Sequence, residues 1–157
     1  MDARLNIFGN PVAGQIIKHL SAAGRVLTET TVPESTMELV RLRASQINGC
    51  GFCTDMHAKE ALAAGETAQR LLLVAAWREA TVFTEAERAA LELAEEGTRI
   101  ADASGGVSDD VWADATKHFD EEQLVALVTN IALINAFNRL NVMIRQPAGD
   151  YVAGSFG

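Results

Sequence analysis

Ser35-Thr36-Met37-Glu38-Leu39-Val40-Arg41-Leu42-Arg43-Ala44-Ser45-Gln46-Ile47-Asn48-Gly49-Cys50-Gly51-Phe52-Cys53-Thr54-Asp55-Met56-His57 is the stretch that decides the fold. Ser35 and Glu38 have capping-box spacing ahead of apolar positions, which predicts a helix over 35–48. If Asn48-Gly49 closes a helical hairpin, a second helix over 51–64 runs back beside the first. The pivot has a chemical consequence. Along one continuous helix Glu38 would lie about 18 Å from Cys50, whereas on a returning helix it comes level with about residue 59, an axial offset of about 3 Å from His57.

Working outward, Thr84 with Glu87 and Asp120 with Gln123 repeat the capping-box spacing, and Gly65 is a helix stop. The segments outlined are roughly 11–23, 35–48, 51–64, 67–80, 84–103, 108–118 and 120–145. No run shows the alternation and β-branched enrichment of strands, so the expected fold class is all-α, a helical bundle in a single domain over 1–157. Ser104-Gly105-Gly106 reads as a loop, and the tail from Gln146 to Gly157, with few apolar anchors, as loosely held.

Acidic residues number 21 against 13 Lys plus Arg, for a formal charge of −8, which disfavours nucleic acid and anionic membrane surfaces as partners. The N-terminus lacks an apolar leader and the longest apolar run, Leu71 to Trp77, is too short to span a bilayer, so the chain reads as soluble and cytoplasmic. Leu71–Trp77 is hydrophobic all round, and the last helix carries Leu124, Val125, Leu127, Val128, Ile131 and Ile134. Such surface is expected to meet another subunit, unless one of these helices is simply central in the bundle.

Both cysteines lie in Cys50-Gly51-Phe52-Cys53, a loop too small to staple a fold and well suited to redox or metal chemistry. They begin the returning helix, where free N–H groups and the macrodipole favour thiolate. Cys53 and His57, four apart, share one face and can approach hydrogen-bonding distance. The expected order is Glu38 to His57 to Cys53, the carboxylate orienting or charging the imidazole. A thiolate attacks a peroxide O–O bond or a disulfide, and the second cysteine resolves the product as Cys50–Cys53. The cycle calls for no metal and no organic cofactor.

Glu38, Cys50, Cys53 and His57 match E-x11-C-x-x-C-x3-H, and on this signature the chain resembles the alkylhydroperoxidase D-like branch of the carboxymuconolactone decarboxylase family. Met37 to Cys50 and Ile134-Asn135-Ala136-Phe137-Asn138-Arg139-Leu140 are similar to that family as well, and the resemblance covers roughly residues 15 to 145. It implies an all-helical fold, assembly into dimers, trimers or hexamers, and reduction of hydroperoxides with a dithiol as electron source. The family suggests a lipoyl-bearing protein or a peroxiredoxin as partner. It also implies that Cys53 is peroxidatic and Cys50 resolving. One position departs: the characterised hydroperoxidase has a relay histidine where this chain has Phe52, so the resemblance implies slower peroxide turnover or another substrate.

Ordinary readings stand beside these. Glu38 can be the N3 residue of the Ser35 box. Two thiolates, an imidazole and a carboxylate can also hold zinc, the main chemical rival. His118 reads as a helix-end cation and His19 as a solvated side chain. Asn135, Asn138 and Arg139 read as structural hydrogen-bonding groups at a subunit contact or pocket entrance. Two other functions remain open: a dithiol adaptor or redox sensor with poor peroxide turnover, and a cofactor-free decarboxylase or isomerase of lactone-like acids in which Glu38 and His57 do acid–base work.

Overall fold

Helix caps written in the sequence account for much of the architecture in a computed structural model, which describes residues 2–155. In chain order the helices are α1 (Pro11–Leu27), α2 (Glu34–Ile47), α3 (Gly51–Ala63), α4 (Ala68–Leu73), a 3-10 segment (Val74–Glu79), α5 (Glu85–Thr98), α6 (Asp109–His118) and α7 (Glu121–Ile144). There is no strand among the described residues. The fold class is all-α, as expected. Thr84 with Glu87 and Asp120 with Gln123 form reciprocated capping boxes, each satisfying two helix-end donors. Asn10 accepts from Val12 N–H at 3.0 Å and Ala13 N–H at 3.1 Å, with Pro11 fixing the first turn.

The Ser35 box is not formed. Helix α2 starts at Glu34 directly after Pro33, with no side-chain cap, so Ser35 lies inside the first turn. Glu38 is thereby released from a capping role and turns to other partners. The segment expected as one helix over 67–80 is also divided, with Ala76 at φ −122° and ψ 31° between turns. Tightening to 3-10 geometry stacks residues three apart, which brings Val74 and Trp77 inward together while Leu72 stays 80% exposed. Helix α5 ends at Thr98 and not near 103, because Arg99 O accepts the Asp102 and Ala103 N–H groups in a turn.

Helix α2 is the centre, packing against α3, α5, α7 and the 3-10 segment. Met37 and Val40 enter a cluster with Leu93, Leu127 and Ile131, whereas Leu39 and Leu42 enter a second with Leu71, Trp77 and Leu91. Burying a side chain of this size stabilises by about 1.5–3 kcal/mol, so two apolar faces fix α2 in place. A small third cluster, Ala44, Cys50, Cys53 and Ile134, seats the cysteine pair on this core.

Among the described residues, α7 is the one helix long and apolar enough to cross a membrane by length and composition. In this fold it packs against α1, α2, α3, α5 and α6, and buries Asn130, Asn135, Asn138 and Asn141. Its Val125 and Val128 remain exposed beside Trp112, as do Val12 and Ile16 of α1. The tail is a correction. Lys59 Nζ donates to Gly149 O at 2.8 Å and Tyr151 O at 2.9 Å, and Glu60 accepts from Gly154 N–H at 2.8 Å and from the Tyr151 hydroxyl. The polar face of α3 therefore clamps residues 149–154, and Tyr151 is buried. Phe156 and Gly157 lie outside the described residues.

Candidate active site

The α2–α3 turn sets the site. Cys50 N–H bonds Ser45 O at 3.0 Å and Gly49 N–H bonds Gln46 O at 3.2 Å, the two bonds of a Schellman motif, with Gly49 at φ 66°. Glycine takes this left-handed position without the Cβ clash other residues meet. Asn48 Nδ2 then donates to Asn135 Oδ1 and Asn138 Oδ1, both at 2.9 Å, and Asn138 Nδ2 donates to Ser45 Oγ at 3.0 Å. Arg139 donates to Asn135 Oδ1 at 2.8 Å. The polar side chains of α7 thus latch the turn from within the chain: their role is structural, but these bonds lie inside one subunit and not across the subunit contact or at the pocket entrance that the sequence suggests.

Cys50 is the N-cap of α3, its Sγ accepting from Cys53 N–H at 3.3 Å. The two cysteines are joined as a disulfide with Cα atoms 5.3 Å apart. Both are buried, at 2% and 1% exposure. Phe52, between them, lies against Phe8 and Tyr151 with ring centroids 6.3 and 6.2 Å away, so it forms an aromatic cover near the pair.

Glu38 and His57 meet as the hairpin register predicts, with Nδ1 and Oε2 2.9 Å apart. Arg41, one turn along α2, bonds the other carboxylate oxygen and also reaches Glu34 Oε1 at 2.6 Å. Its Nε donates to Asn130 Oδ1 at 2.7 Å, and Asn130 Nδ2 donates to Met37 O at 3.1 Å. Burial pushes the Glu38 carboxyl up, but the His57 hydrogen bond and charge together with the Arg41 guanidinium outweigh it and hold the group below the ordinary carboxylate range. An ionised Glu38 accepting from Nδ1–H leaves Nε2 as the ring atom able to exchange a proton.

That atom has no hydrogen-bond partner among the described residues, and no His57–Cys53 hydrogen bond forms in the disulfide state. Cys53 Sγ instead accepts from Asn141 Nδ2 at 3.5 Å, while Asn141 Oδ1 is itself without a partner. Among the described residues these are the two buried side-chain N or O atoms so placed, and Cys53 lies between their residues, bonded to one and one helical turn from the other. Between α3 and the end of α7 a pocket of about 240 Å³ opens, lined by Gly49, Cys50 and Gly51 on one side and Asn141, Val142 and Arg145 on the other. No three His, Cys, Asp or Glu residues among those described converge as a metal-holding group. His19, on α1, and His118, in the last turn of α6, are exposed.

Arg41, Asn130 and Asn141 are the site residues that the sequence reading passes over. Arg41 has a local signal, since a cation three residues after Glu38 shares its helix face. Asn141 has none, because it reaches Cys53 across 88 residues of chain.

A model of the carboxymuconolactone decarboxylase family matches residues 16–96. The uncharacterized protein YdfG of Bacillus subtilis is 38% identical over 137 residues, spanning 87% of this chain and 92% of its own. A crystal structure from Agrobacterium tumefaciens, of a protein of unknown function linked by name to AhpD antioxidant defence, superimposes with a TM-score of 0.86 at 34% identity, covering 96% of this chain and 100% of that one. An uncharacterized peroxidase-related protein from Silicibacter sp. TM1040 shares the fold at a TM-score of 0.75 and 19% identity, over 89% and 73% of the two chains. The chain belongs to the carboxymuconolactone decarboxylase family, with the AhpD-like fold.

Proposed function

We propose that this protein is a thiol-dependent hydroperoxide reductase. The observation that carries the reading is a Glu38–His57 pair whose imidazole lies one helical turn from Cys53, which closes a disulfide with Cys50 across the first turn of α3. The Agrobacterium relative, linked by name to AhpD antioxidant defence, supports the same class. In the reduced protein the Cys53 thiolate attacks the terminal oxygen of a hydroperoxide and the O–O bond breaks. The leaving alkoxide takes a proton from His57 Nε2 and departs as an alcohol, leaving a sulfenic acid on Cys53. The Cys50 thiol then gives up its proton and attacks Cys53 Sγ; the S–O bond breaks, the hydroxide takes that proton and leaves as water, and the Cys50–Cys53 disulfide forms. Two electrons and two protons from an external dithiol, carried by a lipoyl-bearing or peroxiredoxin-type protein, restore the pair. Glu38, kept ionised by Arg41, positions His57 by fixing its tautomer.

Free-thiol titration and intact mass, before and after one equivalent of an organic hydroperoxide, test this. The wild type is expected to lose both thiols rapidly, and Cys50→Ser to hold a sulfenic acid on Cys53. Unchanged thiols overturn the reading. Phe52 favours a second function, a dithiol adaptor or redox sensor, because an aromatic cover carries no proton beside Cys53. Sustained turnover with a dithiol reductant excludes it. Self-association belongs to the same proposal, since Val125, Val128 and Trp112 offer an exposed apolar face. A sedimentation mass of one chain at micromolar concentration would remove that part.

A further inference from the structure

We propose that Asn141 is a catalytic residue of the dithiol, and that the pocket it lines is where the reducing thiol enters, attacking Cys50 and expelling Cys53 as a thiolate held by the Asn141 amide. The inference rests on the dithiol reading above and assigns the direction of its reductive half.

The two sulfurs have different surroundings. Cys50 Sγ takes the backbone N–H of Cys53, whereas Cys53 Sγ takes the Asn141 side-chain N–H at 3.5 Å. Asn141 is 7% exposed, its oxygen has no partner among the described residues, and its N–H faces a disulfide sulfur, which is a weak acceptor. An amide buried on such terms is costly, and an apolar side chain of the same size would serve the oxidised fold better. The arrangement becomes favourable once Cys53 carries a negative charge, because the contact is then a charge-assisted hydrogen bond. The site is built for the thiolate, and the disulfide is the state in which Asn141 waits.

The pocket supplies the direction. Its walls include Cys50 and Asn141 and do not include Cys53. At about 240 Å³ it admits a slender thiol arm and not a folded surface. Disulfide exchange proceeds through attack by a thiolate, so approach by this route forms a bond to Cys50 Sγ and breaks the Cys50–Cys53 bond. The electron pair of that bond goes to Cys53 Sγ, beside the Asn141 amide. The second thiol of the reductant then displaces Cys50, which takes up a proton, and the reductant leaves as a disulfide.

Arg145 points to the charge of the incoming group. It lines the pocket and ends α7 at φ 55° and ψ 50°, the one non-glycine with positive φ among the described residues. That conformation is the left-handed position of a Schellman motif, closed by Arg145 N–H to Val142 O at 3.1 Å and Gln146 N–H to Asn141 O at 2.9 Å, which fixes where the side chain leaves the helix end. An exposed arginine in the lining gives this acidic protein a cation beside the route of an attacking thiolate.

The test uses the oxidised wild type with excess mercaptoethanesulfonate and an alkylating agent to cap the sulfur released, followed by peptide mapping. The expected product carries the mixed disulfide on Cys50 and the alkyl group on Cys53; the reverse pattern overturns the proposal. In a Cys50→Ser background, Asn141→Leu is expected to raise the Cys53 thiol pKa by about one unit, read from ultraviolet thiolate absorbance. Oxidised Asn141→Leu should be reduced by dithiothreitol about tenfold more slowly, and an unmoved pKa overturns the role of Asn141. The mapping needs no variant at Asn141, so it stands even where Asn141→Leu fails to fold. None of these readouts uses a hydroperoxide. A protein inert to hydroperoxide that still maps to Cys50 and shifts its pKa would sink the proposed function alone.

Discussion

Glu38 and Glu95 are both buried, at 9% and 8% exposure, and both are held below the ordinary carboxylate range, yet their partners divide them. Glu95 accepts from Arg43 Nε at 2.7 Å, from Trp77 Nε1 at 3.0 Å and from Arg78, donors that keep their protons at any working pH. It ties α5 to α2 and to the 3-10 segment, and its oxygens have nothing left to exchange. Glu38 shares itself between one permanent cation, Arg41, and the imidazole of His57, whose Nε2 has no hydrogen-bond partner among the described residues. Burial opposes ionisation in both places and is outweighed in both, so depressed proton affinity alone does not mark a reactive site. What separates them is the partner: Glu38 alone of the two bonds an imidazole, whose two ring nitrogens can each carry a proton.

Exchanging the two carboxylates for amides should pull rate and stability apart. Glu38→Gln is expected to slow oxidation of the thiols by an organic hydroperoxide about a hundredfold, the scale of one positioned acid–base group, read by stopped-flow with the variant folded. Glu95→Gln should leave that rate unchanged and cost about 3 kcal/mol in a urea titration, because it strands Arg43 without its counter-charge. If Glu38→Gln loses only stability, both carboxylates are braces and the comparison breaks.

Acid titration sharpens it next. A carboxyl whose folded pKa lies below its unfolded value of about 4.5 stabilises fully above that pH, and the contribution is lost as pH falls through the folded pKa. Stability of the wild type should therefore hold down to about pH 4.5 and then decline. Glu95→Gln should start lower and decline less steeply below that pH. An equal slope in both proteins would mean that Glu95 contributes nothing through its charge.

The Glu38–His57 pair was more legible in the sequence than the Glu95 brace. Register along two antiparallel helices brings Glu38 to His57 by arithmetic, given only that Asn48-Gly49 turns the chain. The same local periodicity yields the capping boxes at Thr84 and Asp120. It fails at Ser35, where Pro33 moves the helix start, and over 74–79, where inward packing of Val74 and Trp77 overrides helix continuity. The clamp of Lys59 and Glu60 on the tail and the reach of Asn141 to Cys53 depend on contacts 88 to 94 residues apart. Polar pairing at that separation leaves no periodic trace, so it emerges only once the apolar faces have set the bundle.

The smallest expected effect is at Arg78. Its side chain is 51% exposed, bonds Glu92 at 3.1 Å, and lies over the Trp77 ring at 4.3 Å while also reaching Glu95. Exposed ion pairs contribute about 0–1 kcal/mol, since water screens the charge and the long side chain loses freedom. Arg78→Met keeps an apolar stem over the indole and removes only the charge. Glu95 would still be held by Arg43 and the Trp77 N–H, so a loss of about 1 kcal/mol or less is expected in a urea titration, with thiol oxidation unchanged. A loss near that of Glu95→Gln would shift the weight of the brace from the buried Arg43 to the exposed cation. The two centres would then differ in solvent access as well as in whether a partner can give up a proton.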